Sequence, residues 1–272
     1  MPLTTRIINT LTNKISERIF FLHIPKCGGV SIRQAITVKY LSLDPRDDRG
    51  IVNLNAPVSR QVIETTEGIH YPYDSDDDYP ILDFREKLLL YFMAQLSSKF
   101  ISGHFLFSDY SYMKFGEKFN YITVLRHPVK RWISSYFFNH FKSESHMKVY
   151  EDIGTHLESN FGISQGFELV KFLGGANREG DYTSVQAIKR AQNNLHKFKI
   201  VGFLEHLEEF IEYFHASFNV KLHIEKRNQN PAPLSSQESV LTPELIERIT
   251  EVCQPDIQVY EYALQNFRDK EY

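Results

Sequence analysis

The stretch that most constrains the fold is Arg18-Ile19-Phe20-Phe21-Leu22-His23-Ile24, followed at once by Pro25-Lys26-Cys27-Gly28-Gly29-Val30-Ser31. The first part is a nearly continuous β-branched and aromatic run, as expected of a strand buried on both faces of a parallel sheet. It stops at Pro25, turns through Gly28 and Gly29, and gives way to Ile32, Ala35 and Ile36 at helical spacing. Successive backbone N–H groups at a helix N-terminus, two small residues and one cation form an anion cradle. The segment is therefore a candidate phosphate loop. Lys26 precedes the glycines, so the segment lacks the Gly-x-x-x-x-Gly-Lys-Ser/Thr order of ordinary nucleoside triphosphatases. A tight strand-to-helix turn carrying an exposed lysine would use the same letters.

The rest of the chain repeats this alternation. Phe100 to His104, Asn120 to Leu125 and Lys199 to Phe203 read as further short strands. Helical spacing marks Ile81 to Lys99, Val129 to Phe141, Ser184 to Lys197 and Glu205 to Phe218; Thr242-Pro243 and Pro255-Asp256 open two more helices. Residues 41–80 turn polar and irregular, with acidic clusters at Asp44 to Asp48 and Asp74 to Asp78, and read as an insertion or flap. Residues 142–180 form a polar region with a Gly174 to Gly180 turn, expected to be helical and to face an acceptor. The pattern predicts one α/β domain over residues 1–272, a P-loop-like three-layer fold with a central parallel sheet and helical insertions.

Composition narrows the function. The 272 residues carry 31 Lys plus Arg against 34 Asp plus Glu, a net charge of -3, so no global basic field favours nucleic acid. No apolar run approaches the roughly 20 residues of a membrane span, and residues 1–14 lack a secretory core. Two cysteines, Cys27 and Cys253, are too few for a disulfide framework or a Cys-rich zinc site. The acidic clusters lack the Gly and Glu of a calcium loop, so no metal is assigned. A cytoplasmic setting is expected.

A second constellation is Val124-Leu125-Arg126-His127-Pro128-Val129-Lys130-Arg131-Trp132-Ile133-Ser134-Ser135-Tyr136. Arg126 leaves a strand and Ser134 follows two helical turns later, so a guanidinium and a hydroxyl can converge on one phosphate. Taken alone, Arg126 and Arg131 serve equally well as structural ion-pair partners.

Together the two constellations resemble the 5′-phosphosulfate loop and 3′-phosphate segment of sulfotransferases that use 3′-phosphoadenosine 5′-phosphosulfate (PAPS). The wording is most similar to the family of heparan sulfate 2-O-sulfotransferase and related carbohydrate sulfotransferases. The resemblance extends through Ser102 to Phe107, Val201 to Ile211 and Tyr260 to Phe267, and is weak over residues 41–80 and 142–180.

This resemblance implies a PAPS donor, with Lys26 neutralising charge on the leaving phosphate and Gly28, Gly29, Val30 and Ser31 supplying main-chain donors. It implies that Arg126 and Ser134 grip the 3′-phosphate, that His104 is the base, and that Arg227 and Asn228 lie in a basic loop over the nucleotide. Cys27 and Val30 replace hydroxyl residues common in the family. Cys27, between a lysine and a helix N-terminus, is either a plain small residue or an oxidation-sensitive thiol.

The expected reaction is in-line sulfuryl transfer to a hydroxyl without metal. The net charge of -3 favours a weakly charged acceptor, such as a neutral carbohydrate, glycolipid or small metabolite. The competing readings are an ATP-dependent kinase-like phosphoryl transferase and a non-catalytic nucleotide- or glycan-binding module.

Overall fold

The computed structural model describes residues 14–41, 50–71, 79–144, 146–225 and 240–268. Its centre is a five-stranded, all-parallel sheet in the order β2-β3-β1-β4-β5. The strands are β1 (Ile19–Leu22), β2 (Ile51–Asn53), β3 (Phe100–Gly103), β4 (Asn120–Leu125) and β5 (Ile200–Phe203). β1, β3 and β5 are buried along their whole length, as their unbroken apolar runs require.

Alternate residues feed two cores on opposite faces of the sheet. Phe20, Leu22, Ile101, Tyr121, Leu125, Val201 and Phe203 point to one face. There they meet helices α3 (Tyr79–Ala94), α8 (Glu168–Gly174), α9 (Val185–Leu195) and α12 (Gln254–Phe267). Ile19, Phe21, Phe100, Ile122, Val124 and Ile200 point to the other, under α1 (Gly29–Tyr40) and α10 (Leu207–Phe218). The result is the three-layer α/β arrangement the sequence predicts. Phe20, Phe21, Phe100, Phe210 and Phe214 are essentially fully buried, and each stabilises the fold by about 1.5–3 kcal/mol.

A third cluster joins Trp132, Tyr136 and Phe137 of α5 (Pro128–Phe141) to α6 (Ile153–Glu158) and α11 (Pro243–Val252). Behind it Arg131 is fully buried and paired with Glu168 at 3.6 Å and Asp256 at 4.0 Å. Of the two arginines open to either role, Arg131 is thus an ion-pair partner inside the fold. Helix starts follow their capping residues: Ser184 caps α9, and Thr242 caps α11 with Pro243 in the first turn.

The structure corrects the sequence reading over one of the two polar regions and gives helices where they are expected in the other. Residues 41–80 are not irregular throughout: they supply the edge strand β2 and helix α2 (Ala56–Glu67), capped by Asn55 and ended by Gly68 in the left-handed region. β2 has only three residues and none is buried, so it leaves no apolar run to read. Residues 142–180 hold α6, α7 (Asn160–Ser164) and α8, the first two capped by Asp152 and Ser159. The acidic clusters at Asp44 to Asp48 and Asp74 to Asp78 lie outside the described residues.

Candidate functional site

The strand order places β1 beside β4, and the chain leaves β1 toward β2 on one side of this pair but leaves β4 toward β5 on the other. In open parallel sheets, ligands bind beyond the carboxyl ends of the strands at such a reversal. Lys26, His104 and Arg126 all leave the sheet there, after β1, β3 and β4 respectively.

The loop after β1 is shaped by backbone conformation. Lys26 has φ 64°, unusual for a residue with a side chain, and Gly28 has φ 75°. A Cβ on Gly28 would come within 2.7 Å of the Leu204 side chain, and one on Gly29 would fall inside the His23 ring. Both positions therefore require glycine, and the main chain approaches α1 with no side chain in front of it. No side chain caps α1 among the described residues, so the N–H groups of Gly29 and Val30 at its start are oriented as donors beyond the helix end. The left-handed Lys26 turns its carbonyl toward the next loop, where Arg126 donates Nη1–H to it at 3.1 Å. One hydrogen bond thus couples strand ends about a hundred residues apart in sequence.

The surroundings of Lys26 are cationic. Its amine lies 3.5 Å from the centre of the Phe138 ring and makes no ion pair among the described residues. Burial, then the positive charges of Arg126, Lys142 and Arg131, push its pKa down to about 8. Lys142 is itself buried and held by Asn139 Oδ1 at 2.9 Å, and burial lowers its pKa too. Arg126 likewise has no carboxylate within ion-pair distance among the described residues; the nearby Glu205 instead accepts from the His127 N–H at 3.2 Å and from Tyr260 Oη at 3.1 Å. Glu205 and Tyr260 therefore hold the loop after β4 in place. Ser134 is half-buried on α5, one turn before Phe138 and on the same helical face. That face is the one Phe138 presents to Lys26.

On the other side of β1 the chemistry is neutral. The register pairs Leu22 with Gly103 and so sets His23 beside His104, with ring centres 4.5 Å apart. His104 Nδ1 lies 2.8 Å from the His23 carbonyl oxygen. A carbonyl only accepts, so Nδ1 carries the proton and Nε2 keeps its lone pair. Burial holds His104 below the usual imidazole range, and Arg85 and Arg33 lower it further against the hydrogen bond to His23. Gly103, at φ 138°, lets β2 pass closely: a Cβ there would lie 2.6 Å from Leu54 Cβ.

The structure thus brings together Lys26, Gly28, Gly29, Val30, Ser31, Arg126, Ser134 and His104 at one end of the sheet. Cys27 is turned away: its thiol is buried in the core below the sheet and burial pushes it up to about 12. The electropositive activation that a reactive thiol needs is overridden by desolvation. Arg227 and Asn228 lie outside the described residues. The sequence reading missed Lys142, Glu205 and the carbonyl of His23. Only the Val201 to Ile211 segment, which contains Glu205, carried a signal. Chemically, the arrangement offers a cationic cradle at an uncapped helix start on one side and an imidazole lone pair on the other.

The model of the sulfotransferase family matches residues 10–263. Uronyl 2-sulfotransferase of Homo sapiens is 24% identical to the chain over 177 residues, covering 56% of the chain and 44% of that protein. Uronyl 2-sulfotransferase of Mus musculus is similar to the same extent, 24% over 177 residues with the same coverage. The chain spans less than half the length of the curated relatives it matches.

Proposed function

The chain belongs to the sulfotransferase family, and from that premise we propose that it moves the sulfuryl group of PAPS to a hydroxyl of a carbohydrate by in-line displacement. When bound, the donor supplies the activated sulfur and a phosphate leaving group. The chain's own residues supply the rest. Lys26 and the first N–H groups of α1 bind the 5′ end and stabilise charge on the departing phosphate oxygen. Arg126 and Ser134 hold the 3′-phosphate, the group that separates this nucleotide from ADP. His104 Nε2 takes the acceptor hydroxyl proton, in the neutral form that burial enforces.

One observation carries this reading. Among the described residues Lys26 and Arg126 are cations without ion-paired carboxylates, with Arg126 donating to the Lys26 carbonyl at 3.1 Å beside an uncapped helix start and an imidazole whose Nε2 is left basic. Such a concentration of like charge, balanced on the Arg126 side only by Glu205 beyond ion-pair distance, favours the arrival of an anion. The kinase-like alternative gains no support, because Lys26 stands before the glycines rather than after them.

The acceptor reading shifts from a neutral sugar toward an acidic one. Overall charge is -3, but the groups that act on His104 are the guanidinium ions of Arg85 and Arg33. Arg60, Arg85 and Lys142 likewise bear on His146. The local field, not the net charge, is what an acceptor meets, and the named relatives act on uronyl groups.

Calorimetric titration with adenosine 3′,5′-bisphosphate against 5′-AMP and ADP tests the donor assignment. Tenfold or greater preference for the bisphosphate is expected. Equal or tighter ADP binding would overturn it.

A further inference from the structure

Ser134 and Phe138 on α5 and Lys142 at its C-cap stand at intervals of four, so they line one face of the helix. The Lys142 N–H donates to the Phe138 carbonyl at 3.0 Å, which carries the helical spacing to that point. Two ammonium groups meet the ring in the middle of this stripe. Lys26 Nζ lies 3.5 Å from the centre of the Phe138 ring and Lys142 Nζ lies 5.8 Å from it. Both fall within the roughly 6 Å over which a ring face attracts a cation.

The groups that hold these lysines are uncharged. Lys142 is held by Asn139 Oδ1 at 2.9 Å, with Glu144 acting on it only from farther off, and Lys26 is held by the ring. Lys26 has φ 64°, so the loop fixes where its long side chain starts, and the ring fixes where it ends. A carboxylate would place the amine as well, but it would cancel the charge that an incoming anion seeks and would have to be displaced. A ring quadrupole attracts a cation and leaves its net charge in place. It also opposes the loss of a proton that burial and the charges of Arg126, Lys142 and Arg131 promote in Lys26. The ring is half-buried, where attraction for a desolvated cation is larger than at an open surface.

We propose that Phe138 is a positioning residue of the anion cradle, its ring face holding the Lys26 ammonium ready for the donor's phosphate without neutralising it. The inference rests on the donor reading above, and Phe138 acts through Lys26 rather than on the substrate.

The test replaces Phe138 in the full chain by 4-fluoro-, 3,5-difluoro- and 3,4,5-trifluorophenylalanine, which withdraw electron density from the ring face in steps while changing its size little. Calorimetric affinity for adenosine 3′,5′-bisphosphate should fall at each step, by about fivefold at the third. The same series at Phe137, a core ring with no cation over it among the described residues, should leave affinity within twofold. Without nucleotide, the Lys26 Cε protons, identified by their loss in Lys26→Arg, should resonate upfield of those of exposed lysines and return to the ordinary position in Phe138→Leu. The fluorinated chains keep the test open if Phe138→Leu fails to fold. Lys26 protons at the ordinary position in the wild type, affinity that is flat or rises along the Phe138 series, or an equal fall along the Phe137 series would overturn the role of Phe138. ADP titrated against the same chains separates this inference from the donor reading. A wild-type preference for ADP brings down the donor assignment, while a stepwise loss of ADP affinity along the Phe138 series still upholds the ring as the holder of Lys26.

Discussion

The two sides of β1 differ in the state of the charges they hold. Toward β4, Lys26, Arg126 and Lys142 are crowded cations, and Lys26 is pushed down to about 8 by burial and by like charge. Toward β3, His23 and His104 are held neutral by burial, with a carbonyl fixing where the His104 proton sits. Desolvation acts on both sides but does different work. On a cationic cradle it stores electrostatic stress that an anion relieves; on an imidazole it preserves a base. A single buried strand keeps the two environments apart while holding them at the same end of the sheet.

The largest test of this division is His104→Ala. Turnover should fall about a hundredfold or more, while affinity for adenosine 3′,5′-bisphosphate stays within twofold by calorimetry. An equal loss in both would erase the distinction between the sides. For the wild-type chain, the acid limb of turnover should lie below pH 6.5, since burial lowers the His104 pKa and the base is lost only as pH falls through that depressed value.

Arg126→Ala attacks the other side. Losing a charged hydrogen bond costs about 1.5–3 kcal/mol, roughly tenfold to over a hundredfold in bisphosphate affinity. ADP, without the 3′-phosphate, should lose much less.

A smaller effect sharpens the comparison through protons. Lys26 is depressed to about 8 in the free protein, and a bound anion raises it, so the complex holds more protons than the free chain above that pH. Bisphosphate affinity should therefore weaken by roughly tenfold between pH 7 and 9. Calorimetry in buffers of different ionisation enthalpy should register proton uptake near pH 8. Affinity that is flat over this range would mean Lys26 does not meet the anion.

The smallest expected change belongs to Cys27→Ser. With its thiol buried and pushed up to about 12, inactivation by hydrogen peroxide should be the same in variant and wild type. Protection by the substitution would show that the thiol reaches solvent after all.

Legibility in the sequence follows burial and separation. β1, β3, β4 and β5 can be read because strands buried on both faces must be continuously apolar. β2 cannot, since Ile51-Val52-Asn53 is short and none of it is buried. Lys26, Arg126 and His104 stand directly at strand ends and are visible as interruptions of apolar runs. Lys142 carries no such mark: its place beside Lys26 depends on how α5 crosses the loop, more than a hundred residues away in sequence. The role of the His23 carbonyl depends on register, which no single segment encodes.

The central place of β1 also bears on how the chain is made. Its neighbours are Phe100 to Gly103 and Asn120 to Thr123, so the strand has no partner until about eighty further residues have been synthesised. At roughly 5–20 residues per second that wait is about 4–16 s. Meanwhile Ile19-Phe20-Phe21-Leu22 is the kind of apolar segment that recruits other nascent chains. Arg18 stands before it and Pro25-Lys26 just after, a charge and a strand-breaker at either end. The lysine of the anion cradle therefore also guards the strand against aggregation before there is any cradle to form.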